Sequence, residues 1–248
     1  MSAAGASPIL PHFTVPLAPL SPAAGAEATL YIQVQSFIRS AGLFVDDVSV
    51  RYFQGIHRFI PIISRTRFHD DLVTLGATPS AGFSALLVAM CLSSSCPVFA
   101  ERITEHGGLV LQTSTRLDHD SLYLTAIALF AQIRALFPPS IYLVQAGLLL
   151  SIYEYMSGRP DKAFASIGSC ARMAYAARMH RCNLPSPQLS WPPLDGETSG
   201  RAYQLQVQEA ANTWWGIVIW ERLVSLSPVG AVACSKCSTP FNCSLNKC

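Results

Sequence analysis

The sequence predicts an all-α domain of packed antiparallel helix pairs, and three observations carry that prediction. Apolar residues recur at spacings of three and four in segment after segment, as in Leu30, Val34, Phe37 and Ile38. No stretch alternates apolar and polar residues as a half-buried strand does. Glycine and proline punctuate the chain at intervals of about a helix length. The 248 residues are enough to build one domain whose core needs neither disulfide nor metal. Half of them are apolar and only 13% are charged, about half the usual share of ~25%, which excludes disorder over the whole chain. The net charge of +2 gives no overall pull toward nucleic acid or acidic lipid. A surface this poor in charge is expected to carry apolar patches, and such patches point to a partner.

Taken in order, residues 1–26 are nearly uncharged Ala, Pro, Ser and Gly and predict a disordered arm. A first helix is expected from near Glu27 to the stop at Gly42. A second covers Val45 to about Arg58, with Val48, Tyr52, Phe53 and Ile56 on one stripe, and Pro61 ends it. Arg67–Leu75 reads as a short helix and Gly76–Pro79 as a turn. Ser80 is placed to cap an apolar helix running to about Ser94. After Pro97 and the weak break at Gly107-Gly108, Asp118 or Asp120 caps a helix over Leu122–Phe137. Pro138-Pro139 then opens Ile141–Met156, with Val144, Leu148, Ile152 and Tyr155 as its apolar stripe. Ser157-Gly158-Arg159-Pro160 is a turn, Pro160 suiting a first helical position. The small-sided helix Asp161–Arg181 is expected to be central to the packing. A Pro-rich loop over 183–199 leads to a last helix, Arg201 to Leu226, bearing Trp214, Trp215 and Trp220. The organisation is thus an arm (1–26), one helical domain (27–226) and an irregular Cys-rich tail (227–248).

Patterns that carry chemistry are missing: there is no GxGxxG after a strand, no phosphate loop, no HExxH and no EF-hand. Gly82-Phe83-Ser84-Ala85-Leu86 fails the nucleophile-elbow pattern at its last position. His69-Asp70-Asp71 and Asp118-His119-Asp120 read as helix-start charges favoured by the dipole, since neighbours on a helix diverge too much to share an ion. His57 reads as a packing histidine. No catalytic, cofactor-binding or metal-ligating residue is assigned, and the expectation is a non-enzyme. Cys91, Cys96, Cys170 and Cys182 lie in apolar segments as buried thiols. Cys234, Cys237, Cys243 and Cys248 form a CxxC-x5-C-x4-C pattern, cramped for a zinc site, so the tail is read as irregular. The mean hydropathy of +0.33 and the uncharged stretch over 72–100 raise a multi-pass membrane alternative, which Pro97 and the serines at 93–95 oppose. A helical protein-interaction adaptor is the other alternative, although no fixed-period repeat supports a solenoid.

Three segments together resemble the fungal-specific transcription factor domain, the regulatory middle region of binuclear zinc-cluster regulators. The first is the aromatic pair and corner Tyr52-Phe53 through Ile56-His57, Phe59 and Pro61 to Phe68. The second runs from Val144-Gln145-Ala146-Gly147-Leu148 through Gly158-Arg159-Pro160 to His180-Arg181. The third is Glu209, Trp214-Trp215 and Glu221-Arg222. The resemblance departs before the tryptophan pair, where Ala210-Ala211-Asn212-Thr213 replaces basic residues, and again after Ser227. It implies a nuclear regulator of DNA-templated transcription working through protein partners or as a homodimer. It also implies zinc only in a separate six-cysteine DNA-binding module, and the tail, with four cysteines at other spacings, does not match one. The chain is therefore expected to be a partial regulator with no cofactor of its own and no DNA reader. Its tryptophans are expected in the core, and its apolar helix faces beyond 141 are expected to lose cover.

Overall fold

The structure, a computed structural model, describes residues 22–73, 79–95, 119–181 and 197–226. Eight α-helices occur among the described residues, and no strand. They are α1 (Pro22–Ser40), α2 (Val45–Gln54), α3 (Arg65–Val73), α4 (Ala81–Ser94), α5 (His119–Leu136), α6 (Ile141–Met156), α7 (Pro160–Ala176) and α8 (Glu197–Leu226). One-turn 3-10 segments, Ile56–Arg58 and Met179–Arg181, follow α2 and α7.

Helices α4 and α6 form the centre. Every residue of α4 is buried, as is every residue of α6 from Tyr142 to Glu154. Both are apolar all round, the composition that fits a helix surrounded by protein. Each fully buried Leu, Val or Met there contributes about 1.5–3 kcal/mol. Helix α4 packs on α1, α2, α5 and α6, and α6 packs on α4, α7 and α8. Serines start both central helices: Ser80 Oγ accepts the Phe83 N–H at 3.3 Å and Ser140 Oγ accepts the Leu143 N–H at 3.3 Å. Such a cap stabilises by about 1 kcal/mol. The expected stripes are buried: Leu30, Val34, Phe37 and Ile38 on α1, and Val48, Tyr52, Phe53 and Ile56 at α2 and its turn. On α6 the stripe holds for Val144, Leu148 and Ile152, while Tyr155 is half-buried.

Residues 157–159 join the two most extensively packed helices, α6 and α7, so the pair runs antiparallel. Gly158 makes this turn with φ +74°, where a side chain would be strained, and Pro160 sits in the first turn as the sequence predicts. The small residues of α7 divide between two faces. Ala163, Ile167, Cys170 and Ala174 are buried toward the centre, whereas Ala165 and Ala176 are exposed. Helix α7 is therefore a flank, and the centre lies one and three helices earlier in α6 and α4.

Several boundaries differ from expectation. Helix α1 begins at Pro22 rather than near Glu27, because proline followed by two alanines starts a helix well, so the end of the expected arm is helical. The segment expected as one helix to Arg58 ends at Gln54, where Gly55 breaks it and a 3-10 turn follows. Helix α7 stops at Ala176, not Arg181, as Arg178 takes a left-handed turn with φ 56°. Helix α8 starts at Glu197, four residues before Arg201. His69, Asp70 and Asp71 lie in the second half of α3 and are not helix-start charges; Asp71 instead accepts a hydrogen bond from the Tyr142 hydroxyl. Asp120 does sit in the first turn of α5. Within the uncharged stretch raised as a membrane candidate, the described residues 81–94 form the buried α4, and among the described residues no helix is long and apolar enough to cross a membrane. Cys91 and Cys170 are buried thiols, burial pushing Cys91 up to about 12 and Cys170 up as well. Residues 1–21, the Gly76–Thr78 turn, Pro97, Gly107-Gly108, Asp118, the loop over 183–196, Cys96, Cys182 and the tail with Cys234, Cys237, Cys243 and Cys248 lie outside the described residues.

Candidate functional site

The three segments singled out in the sequence meet at one buried polar cluster. The corner after Pro61 ends with Ile62 and Ile63 buried, which leaves the Ile62 carbonyl and the Ser64 N–H inside the protein without a ladder to satisfy them. Helix α6 presents Gln145, fully buried and a lone amide within an apolar run. Helix α8 presents Glu209, 2% exposed, and one turn later Thr213.

These groups bind one another, with only the Gln145 Oε1 of the cluster left without a hydrogen-bond partner among the described residues. Glu209 Oε1 accepts the Ser64 N–H at 3.0 Å and a Gln145 Nε2 hydrogen at 3.0 Å, and its Oε2 accepts from the Arg67 guanidinium at 3.0 Å. The Gln145 amide also donates to the Ile62 carbonyl at 2.8 Å. Its nitrogen is fixed on this side because the Ile62 carbonyl and the Glu209 carboxylate only accept, and it also reaches Thr213 Oγ1 at 3.2 Å. The Thr213 hydroxyl donates to the Glu209 carbonyl at 2.8 Å. Glu209 thus acts as the anion at the start of α3, whose first turn carries Arg65 and Arg67 against the helix dipole. Helix α8 approaches closely here: a Cβ on Gly216 would lie 2.9 Å from Ile62 Cγ2 and 3.2 Å from Leu148 Cδ2.

Aromatic side chains line the cluster. The Arg67 guanidinium lies 4.9 Å from the Tyr142 ring centroid. Burial, reinforced by the hydrogen bond to Asp71, pushes the Tyr142 hydroxyl far above its ordinary range. Tyr52 is raised likewise, by burial first and then by the Glu209 charge. His57 is half-buried and packs edge-on against Phe53 at 5.0 Å, the packing role read from the sequence. Burial, and then the nearby Arg65, lower its pKa below 6.5.

A second cluster builds the Gly-Arg-Pro turn. The Tyr123 hydroxyl donates to Glu154 Oε1 at 2.7 Å, and Arg159 lies over the Tyr123 ring at 4.3 Å while pairing with Asp120. The tryptophan helix runs along α6 and α7. Trp220 donates its indole N–H to Ser151 Oγ at 3.0 Å, and Trp214 packs edge-on against Tyr175 at 5.1 Å. Trp215, expected in the core, is 53% exposed, because α6 and α7 cover only the other side of α8.

Chemically the first cluster is a clasp. A buried carboxylate whose two oxygens already accept three donors offers no proton acceptor to a substrate. What it does is fix α8 and the 62–64 corner against α6. The sequence carried Gln145 and Glu209 within the family-like segments without revealing that they touch. Arg67, Ser64 and Thr213 were not read as part of any cluster. The available signal was a lone amide within the apolar run over 141–150 of α6.

Comparison with known proteins follows the same residues. The family described as the fungal specific transcription factor domain matches residues 50–227. Transcription factor BOA15 of Botryotinia fuckeliana is 28% identical over 145 residues, 58% of this chain and 72% of that protein. Transcription factor AN6788 of Emericella nidulans is 22% identical over 184 residues, 74% of this chain and 24% of that protein. Transcription factor tazR of Aspergillus terreus is 24% identical over 198 residues, 79% of this chain and 28% of that protein. The matched part is thus about a quarter of the length of the last two relatives. No solved structure gives a significant match.

Proposed function

Because this chain belongs to the fungal specific transcription factor domain family, matching it over residues 50–227, we propose that it is a regulatory domain of a fungal zinc-cluster transcription factor. In this reading it acts in the nucleus, through protein contacts and without catalysis or a cofactor of its own. Any reading of DNA sequence then belongs to another module or to a partner. The observation that carries the reading is the family match itself, spanning the corner, the helix pair and the tryptophan helix in order. The clasp supports it, since Ile62, Gln145 and Glu209 come one from each segment and bind one another. Motif residues that hold a framework together suit a domain whose work is done at its surface.

The test is to fuse the full chain to a heterologous DNA-binding module and measure a reporter placed under that module's site in a fungal cell. The fusion is expected to shift reporter output several-fold from that of the module alone, and a fluorescent fusion of the chain is expected in the nucleus. Output equal to the bare module overturns the reading.

A further inference from the structure

The outer side of α8 carries a stripe that the clasp does not use. Trp215, Ile219 and Leu223 are 53%, 58% and 53% exposed, and Leu226 lies beyond them, also exposed. At about 100° per residue these four and Arg222 fall on one face. Thr213, Ile217 and Val224 occupy the buried side. A run of exposed tryptophan, isoleucine and leucine is the composition of a binding surface, since water gains nothing from it.

Arginines outnumber carboxylates around this stripe, although Glu221 lies on the same flank of α8 as Trp214. Arg222 sits within the stripe, whereas Glu221 points about 100° away. Next to Trp215, Trp214 leans onto Tyr175 and His180, and Arg178 and Arg181 are exposed beside them. Among the described residues none of Arg178, Arg181 and Arg222 is in an ion pair. A second copy of the chain docked antiparallel on this stripe would bring two Arg222 side chains onto one seam with no carboxylate between them, which disfavours it.

We propose that the outer stripe of α8 docks an acidic amphipathic helix of another protein. The partner's apolar face covers Trp215, Ile219 and Leu223, and its flanking carboxylates meet Arg222, Arg178 and Arg181. The inference rests on the reading that this domain works through a protein partner, and it specifies that partner's chemistry.

The test uses the full chain and a synthetic amphipathic peptide of about 18 residues, long enough to be helical, with leucines on one face and glutamates beside them. Its twin carries lysine in place of every glutamate. Fluorescence anisotropy of the labelled peptides gives Kd. The acidic peptide is expected to bind, and the lysine twin roughly tenfold or more weakly. Ile219→Gln and Arg222→Glu should each raise Kd by roughly tenfold. Ile32→Gln, which removes an apolar residue that is 67% exposed on α1, should leave it unchanged. No binding, equal binding of the twin, or indifference to both α8 variants overturns the proposal. So does a sedimentation shift showing a dimer of the chain that Ile219→Gln abolishes. If the peptide fails while the tethered chain still shifts the reporter, the docking site falls and the regulatory reading stands. If the peptide binds through the stripe and the reporter stays silent, the reverse holds.

Discussion

Between Glu209 and Thr213, helix α8 buries a carboxylate and a hydroxyl, while between Trp215 and Leu226 the same helix exposes tryptophan, isoleucine and leucine. Hydrophobicity alone predicts the opposite assignment. The difference lies in what stands opposite. Facing Glu209 are three donors: the Ser64 N–H, the Gln145 amide and the Arg67 guanidinium. Opposite the outer stripe no described helix stands, because α6 and α7 both pack on the other side. A buried ion pair adds little net stability compared with an apolar core, but losing one partner is costly. The buried face of α8 therefore sets where the helix sits, and its outer face from Trp215 on is left free to meet something else.

The largest effect expected from breaking this contrast is at Glu209. Glu209→Ala leaves a buried N–H, a buried amide and a guanidinium without their acceptor. Arg67 is partly exposed and can turn to water, so the loss is placed at the low end of the range for a broken buried pair, about 3 kcal/mol. Thermal unfolding followed by circular dichroism should show Tm lower by about 10 °C. Adding Arg67→Ala to that variant should then cost much less than Arg67→Ala alone, since the two side chains share one interaction. Additive losses would show that the clasp is not a unit.

Next in size is Gly216→Ala. The added methyl meets Ile62 Cγ2 and Leu148 Cδ2, both packed apolar atoms with little room to yield. The intrinsic helix gain of alanine, about 1 kcal/mol, is expected to lose to overpacking of about 1–3 kcal/mol. A variant with raised Tm would mean that α8 sits more loosely on the corner than its contacts indicate.

The architecture was legible because local chemistry and tertiary structure agree along most of the chain. Ser80, Ser140, Gly158 and Pro160 each act in the structure as their residue type dictates. Stripes were readable on α1 and α2, which have a polar side, and one was read on α6, but α4 and most of α6 are buried on every face, so periodicity there says nothing about neighbours. The clasp was illegible for another reason. Gln145 and Glu209 are 64 residues apart and Ser64 and Glu209 are 145 apart, so no local pattern links them. The exposure of Trp215 was misread because tryptophan is normally covered, and only the side of α8 left bare by its neighbours decides otherwise.

A smaller effect separates the tryptophans. Trp220→Phe keeps an aromatic ring against Tyr155 but removes the N–H that reaches Ser151 Oγ. Ser151 still donates to the Ala163 carbonyl at 2.9 Å, so no donor is stranded and the expected loss is about 1 kcal/mol. Trp215→Phe, read by the same thermal unfolding, should cost less, because its ring has no such bond among the described residues. A larger loss at Trp215 would place it in the framework with Trp220.

The smallest effect is the sharpest test of the contrast. Ile219→Gln replaces an apolar side chain that is 58% exposed with a polar one of good helix propensity. Surface changes of this kind stay within about ±0.5 kcal/mol. If the outer face of α8 is truly free, this variant unfolds with the wild type, while it binds the acidic amphipathic peptide roughly tenfold more weakly. Loss of more than about 1 kcal/mol would mean that the outer face is already covered in the folded chain. In that case the surface assigned to a partner would be part of the core.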